Sequence, residues 1–192
     1  MMLILQDLSN SFDTIIQETQ QNFPLLWRIA ALPWVIWAIN GLLHGVLFHL
    51  GIIPRRLQGI PGIFCAPFIH ANFSHVFFNT IPLIVLSDFV LLQGWNYFLY
   101  ASLFIIIVSG FLIWCFAKPG IHIGASGLIT GYWGLLVSNI YQQGSLMAII
   151  LGALSAYYFA GIFLGVFPQG KGISWEGHLF GLLAGVGFGL LY

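Results

Sequence analysis

Charged residues are scarce in this sequence. Lysine, arginine, aspartate and glutamate together make up 5% of its 192 residues, whereas a soluble domain carries about 25%. The five basic and five acidic residues balance to a net charge of zero, and they form no basic cluster. With 59% hydrophobic residues and a mean hydropathy of +0.97, the chain is expected to be embedded in a bilayer. Nothing in its charge indicates nucleic-acid binding.

Cysteine is also scarce, and the sequence contains only Cys65 and Cys115. Two cysteines are too few for a disulfide framework, and their spacing matches no metal-binding motif. We therefore interpret both as buried apolar residues and predict no metal site.

The first 22 residues lack the basic start of a cleaved signal peptide. Their apolar residues recur at helical spacing, at Leu5, Leu8, Phe12 and Ile15. This pattern predicts a short helix that lies along the membrane surface. We divide the chain accordingly into an interfacial segment, residues 1–28, and a membrane domain, residues 29–192.

Long apolar runs fill most of the membrane domain. Each is close to the roughly 20 residues that cross the hydrocarbon of a bilayer. We predict six spans, at residues 29–49, 75–93, 96–117, 124–142, 145–167 and 175–192. The long connection, residues 50–74, is rich in proline and glycine but apolar, so it should lie at the interface or pack against the bundle. The predicted fold class is an all-α, polytopic six-helix bundle with a membrane-associated first loop.

Polar residues cluster at the starts of three of these spans. His75 and Asn79 begin the second span, Ser126 begins the fourth and His178 begins the sixth. Because a membrane chain reverses direction at each crossing, the three spans are parallel and bring these side chains to a similar depth. His75 and Asn79 also share one side of their helix. Four convergent polar groups in lipid are costly unless they serve a site.

Glycines recur at helical spacing in two of the same spans. The fourth span and the residues just before it carry Gly120, Gly124, Gly127, Gly131 and Gly134, and the sixth span carries Gly177, Gly181, Gly185 and Gly189. Small residues at such spacing let transmembrane helices approach closely. We expect Gly127, Gly181 and Gly185 to pack together and to bring Ser126 within hydrogen-bond reach of His178.

The chemistry that these residues predict is a Ser-His dyad without a carboxylate. Asp88 lies roughly 20 Å deeper in the second span than the polar cluster, and Glu176 points to nearly the opposite side of its helix from His178. In such a dyad His178 takes the proton of Ser126, which attacks a carbonyl to form an acyl-enzyme. The expected oxyanion donors are the backbone N–H groups that begin the fourth span, the Asn79 amide and the His75 ring.

Each residue also has a structural interpretation. A serine among glycines in a membrane helix is usually a packing residue, and we interpret His44, His49 and His122 as structural. A metal or haem carrier could use His44, His49, His70 and His75, although their spacings fit no ligand pair. A small transporter would need ionisable groups near mid-membrane, for which Asp88 is the one candidate.

Three motifs in this order resemble those of the rhomboid intramembrane serine proteases. They are His70-x4-His75-x3-Asn79, Gly124-x-Ser126-Gly127 and His178-x2-Gly181-x3-Gly185. The resemblance covers residues 29–192. It implies a six-helix core, no cofactor and cleavage of single-pass transmembrane substrates near the end of their helix. From the matching motif positions it also implies that Ser126 is the nucleophile and His178 the base. His75 and Asn79 would bind the oxyanion, and His70 would support the first loop.

Two positions depart from the family pattern. The Trp-Arg pair that many members carry in the first loop falls at Pro61-Gly62, so the support of that loop must differ. Thr130 stands where many members place a tyrosine against the catalytic histidine, and Tyr132 points elsewhere on the helix. Catalytically silent members act as adaptors, but these typically lack the serine or histidine that this chain retains.

The resemblance to simple bacterial members implies a plasma-membrane protein with its amino terminus in the cytoplasm. The basic residues favour the opposite orientation. Arg28 would lie inside, while the residues outside would be Arg55, Arg56, Lys118 and Lys171, against the positive-inside rule. We follow the family orientation as an expectation.

Overall fold

The computed structural model describes residues 2–168 and 174–192, with side chains from residue 6 onward. Lys171 and the side chain of Leu5, both used above, lie outside the described residues. The described residues form eight α-helices: α1 (Met2–Leu42), α2 (Gly62–Cys65), α3 (Phe73–Leu91), α4 (Trp95–Phe116), α5 (Ser126–Gln142), α6 (Leu146–Tyr158), α7 (Ala160–Leu164) and α8 (Trp175–Leu191). The all-α prediction is confirmed.

Three of the described helices are long and apolar enough to cross a membrane. They comprise residues Gln6–Leu42 of α1, together with α3 and α4. Helices α6 and α8 are shorter apolar helices of 13 and 17 residues. The chain is therefore a helical membrane protein whose helices follow the predicted spans closely from α3 to α5.

Helix α1 differs from the prediction. It is continuous over 41 residues, so the expected break near residue 28 is absent, and it ends at Leu42 rather than near residue 49. At 1.5 Å per residue it is about 60 Å long, twice the thickness of the hydrocarbon. The middle of this helix is held against α3, because Thr19 and Asn22 donate hydrogen bonds of 2.6 and 3.0 Å to the Asp88 carboxylate. The surface location of the first turns stays a prediction.

The first loop, residues 43–72, is attached to the end of α4. The Arg55 guanidinium donates to the carbonyls of Cys115 and Ala117 at 3.2 and 2.9 Å. The Trp114 indole N–H donates in return to the Arg56 carbonyl at 2.9 Å. These bonds satisfy carbonyls that the end of a helix leaves without partners. They also account for the support of the loop without a Trp-Arg pair at residues 61 and 62.

The predicted fifth span, residues 145–167, consists of two helices. Helix α6 ends at Tyr158, Phe159 adopts φ −118° and ψ 21°, and the short helix α7 follows. The Trp133 indole N–H of α5 donates to the Ser155 carbonyl at 3.0 Å just before this break. The break places the turn after α7, rather than a regular helix end, next to the first turn of α8.

Helices α5 and α8 pack backbone to backbone. A Cβ placed on Gly181 or Gly185 would overlap the carbonyl of Gly127 or Gly131 respectively. A Cβ on Gly127 would in turn lie 3.2 Å from the Gly177 carbonyl oxygen. Only glycine permits this approach, which brings the first turns of α5 and α8 together.

Candidate active site

Ser126 is the first residue of α5, and the residues before it fix where that helix begins. Gly124 adopts φ +114°, which favours glycine. Its N–H donates to the Ala66 carbonyl of the first loop at 2.8 Å. A Cβ at this position would lie 2.5 Å from Nε2 of His75. Gly124 therefore supplies the backbone conformation before Ser126 and the room for the His75 ring.

His178 lies in the first turn of α8, which Ser174 caps by accepting from the Gly177 N–H at 3.3 Å. Its Nδ1 lies 2.8 Å from the Gly165 carbonyl oxygen. A carbonyl only accepts hydrogen bonds, so Nδ1 must carry the proton. The remaining ring nitrogen, Nε2, then has a free lone pair. This is the tautomer that a general base requires.

The four polar residues predicted from the three parallel spans line one groove. This groove has a volume of about 570 Å³ and includes Ser126, His178, His75 and Asn79. Ser126 and His178 are not joined by a direct hydrogen bond among the described residues. Catalytic hydrogen bonds are often long in a free enzyme and shorten when substrate binds.

Asn79 is held in place by His70. Its amide nitrogen lies 3.0 Å from Nε2 of His70, and the Ala125 N–H points to the same nitrogen at 3.4 Å. With Nε2 as acceptor, one amide hydrogen of Asn79 is engaged and the second is available to the groove. His70 thus links the loop before α3 to the start of α5, beyond the loop support that the family resemblance implied.

Burial, and to a smaller extent the nearby His75 ring, lowers the pKa of His70 to about 4. Only 1% of the residue is exposed, and desolvation disfavours the charged imidazolium. The ring is therefore neutral at neutral pH, as its role as hydrogen-bond acceptor from Asn79 requires. The centroids of the His70 and His75 rings lie 4.9 Å apart.

Neither Asp88 nor Glu176, the two acidic residues considered as partners of His178, is hydrogen-bonded to it in the described structure. Asp88 is engaged by Thr19 and Asn22, as described above. Glu176 is buried, and its Oε1 has no hydrogen-bond partner among the described residues. The position beside Nδ1 of His178 is occupied by the Gly165 carbonyl instead. Sequence patterns missed Gly165, because a backbone acceptor leaves no side-chain signature.

Thr130 and Tyr132 do not brace the His178 ring. The Thr130 hydroxyl donates to the Ser126 carbonyl of its own helix at 2.6 Å. Tyr132 is buried, and its hydroxyl lies 2.7 Å from that of Ser102 in α4. The ring of His178 is therefore oriented by the turn after α7 rather than by an aromatic residue of α5.

His122 connects three parts of the site. Its Nε2 donates to the Lys118 carbonyl at 2.9 Å, and its Nδ1 then accepts from the Ser174 hydroxyl at 2.7 Å. Its backbone pairs with Ile52 of the first loop. Both ring nitrogens and the backbone of His122 therefore have hydrogen-bond partners. Through them His122 connects the first loop and the loop before α5 to the start of α8. His44 and His49 follow α1 and do not line the groove.

The described residues contain no group of three or more histidine, cysteine, aspartate or glutamate side chains that could hold a metal ion. Among the side chains that line the groove, Ser126 supplies a hydroxyl, His75 and His178 supply imidazoles, and Asn79 supplies an amide. These groups suit proton transfer and oxyanion binding.

In the part of the chain that the structure describes, a serine of α5, a histidine of α8, and a histidine and an asparagine of α3 line one groove of a helical membrane protein. The sequence model described as the rhomboid domain matches residues 58–192, and the chain belongs to the rhomboid family.

The chain is similar to several proteins known from their sequences. An uncharacterised protein of Mycobacterium tuberculosis is 37% identical over 166 residues, covering 81% of this chain and 69% of that protein. An uncharacterised protein of Mycobacterium leprae is 33% identical over 187 residues, covering 88% and 74%. A putative rhomboid protein of Acanthamoeba polyphaga mimivirus is 33% identical over 132 residues, covering 65% and 71%.

Proposed function

We propose that this chain is an intramembrane serine protease that cleaves transmembrane substrates near one face of the membrane. The observation that carries the proposal is the position of Ser126 and His178 together with the hydrogen bond that sets the tautomer of His178. Ser126 and His178 line one groove, and the Gly165 carbonyl holds Nδ1–H of His178 so that Nε2 is free to accept a proton. Family membership supports the same activity, because rhomboid proteins are generally intramembrane serine proteases.

In the first step, the Ser126 hydroxyl attacks the carbonyl carbon of the scissile peptide bond while its proton passes to Nε2 of His178. The tetrahedral intermediate collapses, the C–N bond breaks, and the imidazolium returns the proton to the leaving amine. A water molecule then attacks the acyl-enzyme and gives its proton to His178. The ester bond to Ser126 breaks, the imidazolium returns the proton to the Ser126 oxygen, and the new carboxyl terminus is released. The neutral Gly165 carbonyl stabilises the imidazolium without contributing a negative charge.

The negative charge on the substrate oxygen is held by neutral donors. Asn79 and His75 line the groove, and we assign this role to the second amide hydrogen of Asn79, the His75 ring and the backbone N–H groups at the start of α5, with the positive end of the α5 dipole adding to them. His70 orients Asn79 but does not itself touch the substrate.

The chain crosses the membrane six times in this account, by α1, α3, α4, α5, α6 with α7, and α8. Helix α5, with 17 residues, is about 25 Å long, close to the hydrocarbon thickness of about 30 Å. With α3, α5 and α8 parallel, the groove lies near one face. The bacterial relatives support a location in a bacterial plasma membrane.

The substrates are single-pass transmembrane proteins. A helical substrate segment buries its carbonyls in its own hydrogen bonds, so it must unwind before Ser126 can reach one of them. Substrates should therefore carry small residues at the cut and helix-weakening glycine or proline near the end of the transmembrane segment.

The proposal is tested with purified protein in liposomes and a fluorescent single-pass transmembrane peptide. The wild-type chain should cleave the peptide, and Ser126→Ala and His178→Ala should abolish cleavage. Leu190→Val, at an exposed position of α8, is the matched control and should retain wild-type activity. Capture of the peptide without products by the wild-type chain would overturn the protease and indicate an adaptor.

A further inference from the structure

The hydrogen-bond partner of His178 comes from an element that contributes no other group to the groove. Gly165 follows α7, and its carbonyl is the acceptor for Nδ1–H at 2.8 Å. The groove itself is lined by residues of α3 and the end of the loop before it, the loop before α5, the start of α5, and the start of α8 with its cap. The turn after α7 therefore reaches the site through the His178 ring.

The contact requires glycine because of space rather than backbone conformation. Gly165 adopts φ −67° and ψ −14°, which any residue can adopt. A Cβ there would overlap Nδ1 of His178 and lie 3.0 Å from its Cε1. A side chain at residue 165 would thus push on the ring. Because an imidazole at the end of a side chain can rotate, the ring rather than the fold should yield.

Gly161, one turn earlier in α7, offers a direct comparison. A Cβ on Gly161 would meet no atom within 4 Å. Both glycines lie in the same short segment, and both have backbone conformations that alanine can adopt. An alanine at either position changes helix propensity similarly, but only the one at residue 165 reaches the catalytic ring.

The segment that bears Gly165 is seated by a few contacts. The Phe163 ring packs on Trp133 of α5 with centroids 5.9 Å apart, and Val166 is buried. The Gly165 N–H donates to the Ile162 carbonyl at 3.0 Å, which closes the turn. These contacts fix the direction of the Gly165 carbonyl toward α8.

We propose that Gly165 is a positioning residue for the reaction. Its carbonyl selects the Nδ1–H tautomer of His178 and fixes the ring, in place of a carboxylate, and its lack of a side chain permits the approach. The dyad is therefore complete only when the turn after α7 is docked against α8. This inference rests on the proposed protease activity.

Tautomer selection has a kinetic consequence. A neutral imidazole without a partner at Nδ1 can carry its proton on either nitrogen and can rotate. In the Nε2–H tautomer it cannot take the Ser126 proton. A misplacement of about 1 Å costs roughly 10²-fold in rate. Substrate contacts in the groove are unaffected, so the loss belongs to kcat and not to KM.

The experiment compares Gly165→Ala with Gly161→Ala in the cleavage assay. We expect Gly165→Ala to lose roughly 10²-fold in kcat, with KM and the thermal midpoint in detergent close to wild type. Gly161→Ala should match wild type in all three. Equal kcat in the two variants would overturn the inference while leaving the protease intact, whereas an inactive wild-type chain would overturn the protease.

A second measurement does not depend on the variants folding. Nitrogen NMR of ¹⁵N-histidine-labelled wild-type chain in micelles, with His178→Asn for assignment, reports which ring nitrogen of His178 is protonated. The inference requires protonation at Nδ1 in the wild type. Protonation at Nε2 would overturn it.

Discussion

At the level of single residues, Asn79 is the neutral side chain to which we assign stabilisation of the oxyanion. His70 takes one amide hydrogen and leaves the other for the groove. We expect Asn79→Ala to reduce turnover by about 10²- to 10³-fold, the usual cost of one oxyanion donor, while some cleavage remains. His75→Ala should act in the same direction. Turnover within a factor of two of wild type in both variants would mean that backbone donors alone hold the oxyanion.

His70 gives a second prediction at this scale, for stability against pH. Its pKa is about 4 in the folded chain and about 6.5 in an unfolded one. Between these values the unfolded state binds more protons, so acidification from about pH 6.5 to 4 should reduce stability.

His70→Gln should make this loss shallower, because glutamine keeps an acceptor for Asn79 but does not titrate. The thermal midpoint in detergent, measured from pH 7 to 4 for both proteins, checks it. Parallel curves would show that His70 does not titrate as described.

At the element scale, the contact between α5 and α8 sets the position of the dyad. Gly181→Ala places a Cβ against the Gly127 carbonyl, and overpacking of this kind typically costs 1–3 kcal/mol. Gly187→Ala is the matched control on the same helix, since a Cβ there meets no atom within 4 Å.

We expect Gly181→Ala to lower both activity and thermal midpoint, because α8 must move and carries His178 with it. Gly187→Ala should change neither. If Gly181→Ala were as stable and active as wild type, the close approach of the two helices would not determine the geometry of the dyad.

The limits of sequence reasoning also appear at the element scale. Apolar length was sufficient to find α3, α4 and α5 within a few residues. It did not give the bounds of α1, because this helix continues through the polar residues that precede residue 29. It also could not show the hydrogen bonds from Thr19 and Asn22 to Asp88, which join residues more than 60 positions apart. Sequence patterns also did not show that the Arg55 guanidinium caps the end of α4. Contacts of this kind depend on tertiary structure and leave no periodic pattern.

At the scale of the whole molecule, alternating spans and spaced motifs indicated which polar residues share a groove, and the structure gives that groove its geometry. Ser126, His178, His75 and Asn79 could be found because each is a polar side chain in an apolar run. Gly165 could not, because its contribution is a backbone carbonyl in a turn without a sequence motif.

The membrane orientation stays a prediction, and cysteine labelling of residues 168–173 from outside intact cells tests it.

The central claim is that His178 activates Ser126 as a nucleophile within the membrane domain. A fluorophosphonate probe that reacts with activated serines tests it directly, with the adduct located by mass spectrometry of the protein in detergent. The account predicts a single adduct on Ser126 in the wild-type chain and none in His178→Ala. Labelling at another residue, or equal labelling of Ser126 without His178, would contradict it.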